Sequence, residues 1–432
     1  MIESMTMNPK SFLLRLLPGA ALMLMLALAA ATAPSVSVAA DKKEAISHVI
    51  GKEIEAAQKA LQTQQWAEAL KNLDAAEAKS PLTPFDKKTI YQFKAFAYVK
   101  LGKLKDAQGE FEKMLATGDV SPEEKTNTIR ALFSITGNTG QYQKAIDYGK
   151  DIVDAGTAKP DDLAIMAQSY YQLKDCKNAV VYADKSIAAS RKAGETPKDS
   201  VFLFKLQCAS DAGDNAAMSA VLMDLIRLSG KTQCSAPSAR DCYWNTLLRI
   251  ERQSEREDAN TRMIYRIMYN TNSMNADTDY IEMAQLLGDA GLPGEAASVL
   301  DKAISSGIMK DEHKERTQRL LASLKTRADS DRKGIAQEDT EAAKNPSGEA
   351  SVKIGEVYYG FGDYQKAADA INRGLQKGQV KHLDEAYVYL GLSDVQLKNI
   401  ADAKKAFGNL KSVPNISPRV VKLWELYSDT LR

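Results

Sequence analysis

The stretch Gly362-Asp-Tyr364-Gln-Lys-Ala367-Ala-Asp-Ala-Ile371 decides the fold, together with its echo Asn399-Ile400-Ala-Asp-Ala403-Lys-Lys-Ala-Phe407. Each has an apolar or aromatic residue, alanine three positions later, and a large apolar residue four beyond that. Residues three and four apart share one face of a helix. The pattern therefore predicts a helix that crosses a neighbour closely at the alanine, with Ile371 or Phe407 filling the space beside it. The preceding helix supplies its own small residue for each crossing: Gly355 between Ile354 and Tyr358, then Gly391 between Leu390 and Asp394. The two marker alanines stand 36 residues apart. One such hairpin cannot bury its apolar face alone, so neighbours must stack.

Upstream the marker recurs. Trp66-Ala-Glu-Ala69-Leu-Lys-Asn-Leu73, Leu104-Lys-Asp-Ala107-Gln-Gly-Glu-Phe111, Tyr142-Gln-Lys-Ala145-Ile and Cys176-Lys-Asn-Ala179-Val place alanines at steps of 38, 38 and 34 residues. Tyr91, Ala95 and Tyr98, then Ala167 and Tyr170, occupy the partner helices. Ser121-Pro122-Glu-Glu124 reads as a helix start, with a cap serine, proline in the first turn and a capping glutamate. The middle is less regular. Residues 199–228 fit a repeat with Met218 at the small position, and 243–268 fit one with Ala259 there. Tyr280, Met283, Ala284 and Leu287 with Glu295-Ala296-Ala-Ser-Val-Leu300 form a clear unit. From Ala296 to Ala367 is 71 residues, two repeat steps, so 311–345 is expected to hold a degenerate hairpin. The second half of that region, 326–347, is polar enough that a linker is the alternative. Ser417-Pro418 starts a last helix, expected to cap the open end of the array.

A period near ~34 residues is that of tetratricopeptide (TPR) repeats. The expected fold is all-α: a TPR superhelical solenoid of about ten helix–turn–helix repeats with a C-terminal capping helix. The expected boundaries are a signal peptide at 1–40, N-terminal and central repeats at 41–310, the degenerate repeat or polar linker at 311–347, and a repeat pair plus capping helix at 348–432.

Residues 1–40 read as an export signal. Lys10 and Arg15 form a basic start, 20–33 is apolar, and Val38-Ala-Ala40 offers small residues for cleavage before Asp41. The expected outcome is export, with no membrane insertion of the mature chain. The 57 Lys and Arg balance 56 Asp and Glu, which leaves no basic footprint for nucleic acid. Four cysteines, at 176, 208, 234 and 242, read as disulfides in an oxidising compartment. Cys234 and Cys242 flank a short polar loop. Cys176 opens the second helix of one repeat and Cys208 lies late in the first helix of the next, where antiparallel helix ends meet. The favoured pairing is Cys176–Cys208 with Cys234–Cys242. No C-x-x-C spacing favours zinc. His48, His313 and His382 are isolated, and no nucleophile elbow, phosphate loop or dinucleotide fingerprint occurs. No catalytic residue, cofactor or metal site is expected, and the protein is not expected to be an enzyme.

Stacked helix pairs curve, and the first helix of each pair lines the concave side. Register from the markers places Gln92, Phe96 and Lys100 there, then Arg130, Ser134 and Asn138, then Gln168, Tyr171, Gln172 and Gln207. Trp244, Leu248 and Glu251 follow, then Ile281, Gln285, Glu356 and Tyr359. Amides with interspersed aromatics suit a protein segment, because Tyr, Trp and Arg anchor interfaces. Tyr171 and Trp244 are the strongest single candidates.

Specific stretches add a resemblance. Ser80-Pro-Leu-Thr-Pro-Phe85 leading into Tyr91-Gln-Phe-Lys-Ala-Phe-Ala-Tyr98, then Ala193-Gly-Glu-Thr-Pro197, and Glu282-Met-Ala-Gln-Leu-Leu287 with Gly291-Leu-Pro-Gly-Glu-Ala-Ala297 look similar to periplasmic TPR proteins that accompany TonB–ExbB–ExbD systems. The turn before the last helix is similar too. The four cysteines and the polar 326–347 segment depart from that pattern. The resemblance implies a non-enzymatic accessory to TonB-dependent transport, with TonB, ExbB or ExbD as partners. The alternative is an adaptor in cell-envelope assembly, serving outer-membrane protein insertion or peptidoglycan synthesis.

Overall fold

The computed structural model describes residues 45–236, 239, 242–414 and 416–432. The expected signal peptide lies outside them. Among the described residues the chain forms twenty α-helices and no strand, in two compact units, 1–208 and 209–432.

The first unit stacks four helix pairs: α1 (Gly51–Gln62) with α2 (Trp66–Glu77), α3 (Pro84–Lys100) with α4 (Leu104–Ala116), α5 (Pro122–Asn138) with α6 (Tyr142–Asp154), and α7 (Pro160–Gln172) with α8 (Cys176–Lys192). Helix α9 (Asp199–Asp211) follows. Each second helix begins on the apolar or cysteine residue that the marker pattern opens with. The Ser121 hydroxyl accepts from the Glu124 amide at 3.2 Å, and the Glu124 carboxylate accepts from the Ser121 amide at 2.8 Å. Together they satisfy two of the donors a helix start leaves unpaired.

The second unit contains α10 (Asn215–Ser229), α11 (Tyr243–Gln253), α12 (Asp258–Asn270), α13 (Asp277–Asp289), α14 (Pro293–Ser305), α15 (Asp311–Lys344), α16 (Glu349–Gly360), α17 (Tyr364–Lys377), α18 (Leu383–Gln396), α19 (Ile400–Gly408) and α20 (Pro418–Thr430). All seven alanines that mark the clear repeats, from Ala69 to Ala403, are fully buried. The crossings are as close as the small residues require. A Cβ on Gly355 would lie 2.4 Å from Ile371 and 2.9 Å from the Ala367 carbonyl, and one on Gly391 would lie 2.4 Å from Phe407.

Three features differ from expectation, all in the second unit. Residues 311–344 form one 34-residue helix, neither a hairpin nor a linker. Its interior holds no proline, and Leu321, Leu324 and Ile335 are buried at intervals. Its polar half is held by long side chains: Arg327 donates to the Gly288 carbonyl at 3.0 Å, Arg332 to the Phe361 carbonyl at 3.3 Å, and Arg373 pairs with Asp339. Ala259 is half exposed. Helix α12 instead turns Met263, Ile264, Arg266 and Ile267 inward. Finally, α20 does not cap an open end. It packs on α19 and also on α10 and α12, so the second unit closes on its own beginning. Trp424, Leu423 and Leu426 on α20 are fully buried, and Trp424 stacks on Phe407 at 4.9 Å.

Both disulfides join the favoured pairs. Cys176 bonds Cys208, with Cα atoms 5.5 Å apart, and Cys234 bonds Cys242, with Cα atoms 5.1 Å apart. No described cysteine is free.

Candidate functional site

In the first unit the marker register puts one stripe of side chains on α3, α5 and α7. Gln92, Phe96, Arg130, Ser134, Asn138, Tyr171 and Gln172 are half buried, and Lys100 is exposed. Gln207 on α9 is half buried as well, and Gln168 is buried. Neighbours position several of them. Phe96 meets Trp66 edge to face at 5.9 Å, and Lys100 lies over its ring at 5.3 Å. Tyr171 stacks on Phe204 at 5.5 Å, and the Lys174 ammonium lies over the Tyr171 ring, 5.6 Å from its centre. Such pairs hold a ring in place while leaving part of it in water. Arg130 is tied to Asp162 at 3.0 Å and donates to the Thr157 carbonyl at 2.9 Å. Burial pushes the Asp162 carboxyl up, against the pull of the Lys159 amide and Arg130. The close approach of α5 and α7 leaves no room beyond glycine at 137, where a Cβ would lie 2.7 Å from Ile165.

A depression of about 420 Å³ lies elsewhere on this unit, between the start of α3 and the end of α4, beside Lys87, Tyr91 and Lys113. Lys94, on α3, is a buried cation paired with Asp74 and Glu77.

In the second unit the same register leads inward. Trp244 is 2 % exposed, Leu248 and Glu356 are 0 %, and Glu251 is 6 %. The Trp244 indole N–H donates to the Lys231 carbonyl at 3.2 Å, and its ring meets Tyr427 edge to face. Glu251 faces Arg419 of α20 at 3.8 Å. These are core positions, not a binding surface: Trp244 and Glu251 meet Tyr427 and Arg419 of α20, and Glu356 faces Lys353 inside the unit. Ile281, Gln285 and Tyr359 remain half buried.

The interior of this unit contains a polar hub. Arg266, on α12, donates to both carboxylate oxygens of Glu295, on α14, at 3.2 and 3.3 Å. It also bonds the Tyr389 hydroxyl, on α18, and lies 4.2 Å from the Tyr389 ring centre. The Tyr389 hydroxyl in turn donates to Glu295. Arg262 donates to Glu385 at 2.7 Å, and Lys353 lies 2.8 Å from Glu356 and 3.5 Å from Glu385. Three cations thus meet three carboxylates drawn from four helices. Burial pushes the Glu356 carboxyl up to about 7, and Lys353 recovers only part of that shift. Burial acts on Glu385 too, but Arg266 and Arg262 outweigh it and hold that carboxyl down at about 2. A void of about 10 Å³ lies beside the hub, against Glu295 and Glu356, the space of one water.

Of the hub residues only Glu356 is among the expected site residues, as a partner-binding position on the concave face. The hub's signal is a charge at the buried phase of an apolar run, Met263-Ile-Tyr-Arg266-Ile-Met268. His313 has no histidine partner but sits with Nδ1 2.7 Å from Asp277, which also accepts from the Lys310 amide at 3.1 Å. That carboxylate therefore anchors the start of α15. Among the described residues no group of three or more His, Cys, Asp or Glu is placed to hold a metal ion, and no helix is long and apolar enough to cross a membrane.

The fold and these faces define an all-α protein of stacked helical hairpins. No protein-family model and no curated protein matches the chain. Solved structures give distant likenesses. A tetratricopeptide repeat protein from Parabacteroides merdae is 13% identical, over 80% of this chain and 99% of that one, with a TM-score of 0.33. The C-terminal part of a TPR repeat-containing protein from Cytophaga hutchinsonii is 15% identical over 86% and 98%, with a TM-score of 0.31. The apo quorum sensor NprR from B. thuringiensis is 12% identical over 76% and 98%, with a TM-score of 0.29. The helix pairing described above, rather than these likenesses, establishes the architecture.

Proposed function

We propose that the chain is a non-enzymatic interaction scaffold of the periplasm that binds a segment of a partner protein along α3, α5 and α7. The carrying observation is the stripe Gln92, Phe96, Lys100, Arg130, Asn138 and Tyr171, half buried or exposed and repeated in register on successive first helices. Rings held by neighbours lose little freedom on binding, and amides supply hydrogen bonds without a buried charge, a composition suited to protein interfaces. The two disulfides support an oxidising compartment. The finer reading is an accessory of a TonB–ExbB–ExbD system, supported by the resemblance of 80–98, 193–197 and 282–297 in the sequence.

The test is capture from an envelope fraction with the chain tagged at Arg432. Recovery of TonB, ExbB or ExbD by the wild type, lost in Lys100→Ala/Asn138→Ala/Tyr171→Ala, supports the reading. Undiminished recovery by the folded triple variant sinks the face assignment. Recovery of outer-membrane assembly or cell-wall proteins sinks the TonB assignment alone.

A further inference from the structure

The connection between α10 and α11 ties four helices of the second unit together over a few residues. The Lys231 carbonyl accepts from the Trp244 indole at 3.2 Å, on α11. The Thr232 hydroxyl donates to the Thr430 carbonyl at the end of α20, 198 positions away. Gln233 donates to the Asn270 carbonyl at 3.1 Å, and the Cys234 amide donates to the Thr271 carbonyl at 2.8 Å, both at the end of α12. Asn272 returns a bond to the Cys234 carbonyl at 3.2 Å. Residues 231–234 follow directly on α10, and α10 itself touches α20 through Arg227 and Asp429 at 3.3 Å. One covalent bond, Cys234–Cys242, fixes the far end of this strap to the start of α11, and both cysteines are buried.

Backbone and hydroxyl hydrogen bonds of this kind each add little net stability, because the unpaired groups can turn to water. Of these bonds the Thr232 one reaches α20 itself, and it persists only while the strap, held on α11 and α12 by the others, keeps one conformation. The bond supplies that restriction by closing a short loop and removing conformations in which the strap has swung away.

We propose that the Cys234–Cys242 disulfide is the clasp of the second unit, so that the C-terminal helix seats firmly against α10–α12 only after these two thiols are oxidised. The step needs a disulfide oxidant, RS–SR. One cysteine thiolate attacks a sulfur of the oxidant and expels RS⁻. The second thiolate attacks the resulting mixed disulfide and expels the other RS⁻. Two cysteine thiols are oxidised and one RS–SR is reduced to two RSH. The oxidising compartment proposed above gives this step its setting, but the inference does not depend on any partner.

Amide hydrogen exchange of the full chain, read by mass spectrometry, tests it. Peptides covering 418–430 report α20, and those covering 384–396 report the hub helix α18. In Cys234→Ser/Cys242→Ser, exchange in α20 rises at least tenfold while α18 keeps its protection. Cys176→Ser/Cys208→Ser, in the first unit, leaves α20 unchanged. Unchanged protection of α20 without the Cys234–Cys242 bond overturns the inference. So does an equal loss in α18, because the bond would then be a general staple. Should the serine variant fail to fold, the native chain is treated with dithiothreitol and its thiols are labelled. Loss of α20 protection in step with labelling of Cys234 and Cys242 supports the clasp, and labelling without that loss overturns it.

Discussion

In the first unit, α3, α5 and α7 leave Phe96, Asn138 and Tyr171 partly in water. In the second, the corresponding register on α11 and α16 sends Trp244, Leu248 and Glu356 into the core. The repeat geometry is shared, so the difference lies in what covers the face. Helix α20 lies on α10 and α12, and Arg262 and Arg266 reach from α12 to α18. An array that stays open leaves its first-helix positions partly in water. One that closes spends the same positions on its own interior.

Removing the cover should have the largest effect. Trp424→Ala is expected to cost about 3–5 kcal/mol, the usual range for a buried aromatic. Urea unfolding followed by limited proteolysis should show loss of the second unit with the first intact. Equal loss in both would break the division into units.

The hub comes next. Arg266→Met leaves Glu295 buried without its guanidinium, a change worth roughly 3 kcal/mol or more, measurable as a lower urea midpoint. An unchanged midpoint would mean that the hub does not hold the closure.

The Glu356 carboxyl gives a pH signature of up to about 3 kcal/mol at 1.36 kcal/mol per unit. Its value is about 7 in the folded protein against 4.5 ordinarily, so the folded state binds the proton more tightly. The contribution is therefore fully present below 4.5 and is lost as pH rises through about 7. Glu385 works the other way. Its value of about 2 gives stability that is present above 4.5 and lost as pH falls toward 2. Glu356→Gln should flatten the first slope and leave the acid limb in place. A persisting slope would assign it to another group.

The smallest stability effect belongs to the open face. Lys100→Ala and Asn138→Ala should each stay within about 0.5 kcal/mol of wild type, by thermal unfolding, while Tyr171→Ala gives up ring contacts that include Phe204 and Lys174. Large losses would make these residues structural, like their counterparts in the second unit.

Much of this was legible locally. Gly355 opposite Ala367, and Gly391 opposite Phe407, announce close crossings through spacing alone, and the cysteine pairs follow from where antiparallel helices end. The closure was not legible, because its partners are remote. Arg266 and Tyr389 are 123 residues apart, and so are Arg262 and Glu385. Helical periodicity carries no information at that range. Ala259 shows the consequence: it matches the marker, yet α12 is rotated to serve contacts with α18 and α20. For the same reason Trp244 reads as a groove residue until α20 is placed over it. Across 311–345 a period counted in repeats implies a hairpin, although the segment contains no proline and one glycine, Gly334, to interrupt a single helix.

The central claim is that only the first unit offers its first-helix face to a partner. Photo-crosslinking in the cell envelope addresses it most directly, with a benzophenone side chain placed singly at Lys100, Asn138 or Gln172, and at Gln285 or Tyr359 in the second unit. The account predicts one common crosslinked protein from the three first-unit positions and none from the other two. The same protein captured from Gln285 or Tyr359, with nothing from Lys100, Asn138 or Gln172, would contradict it.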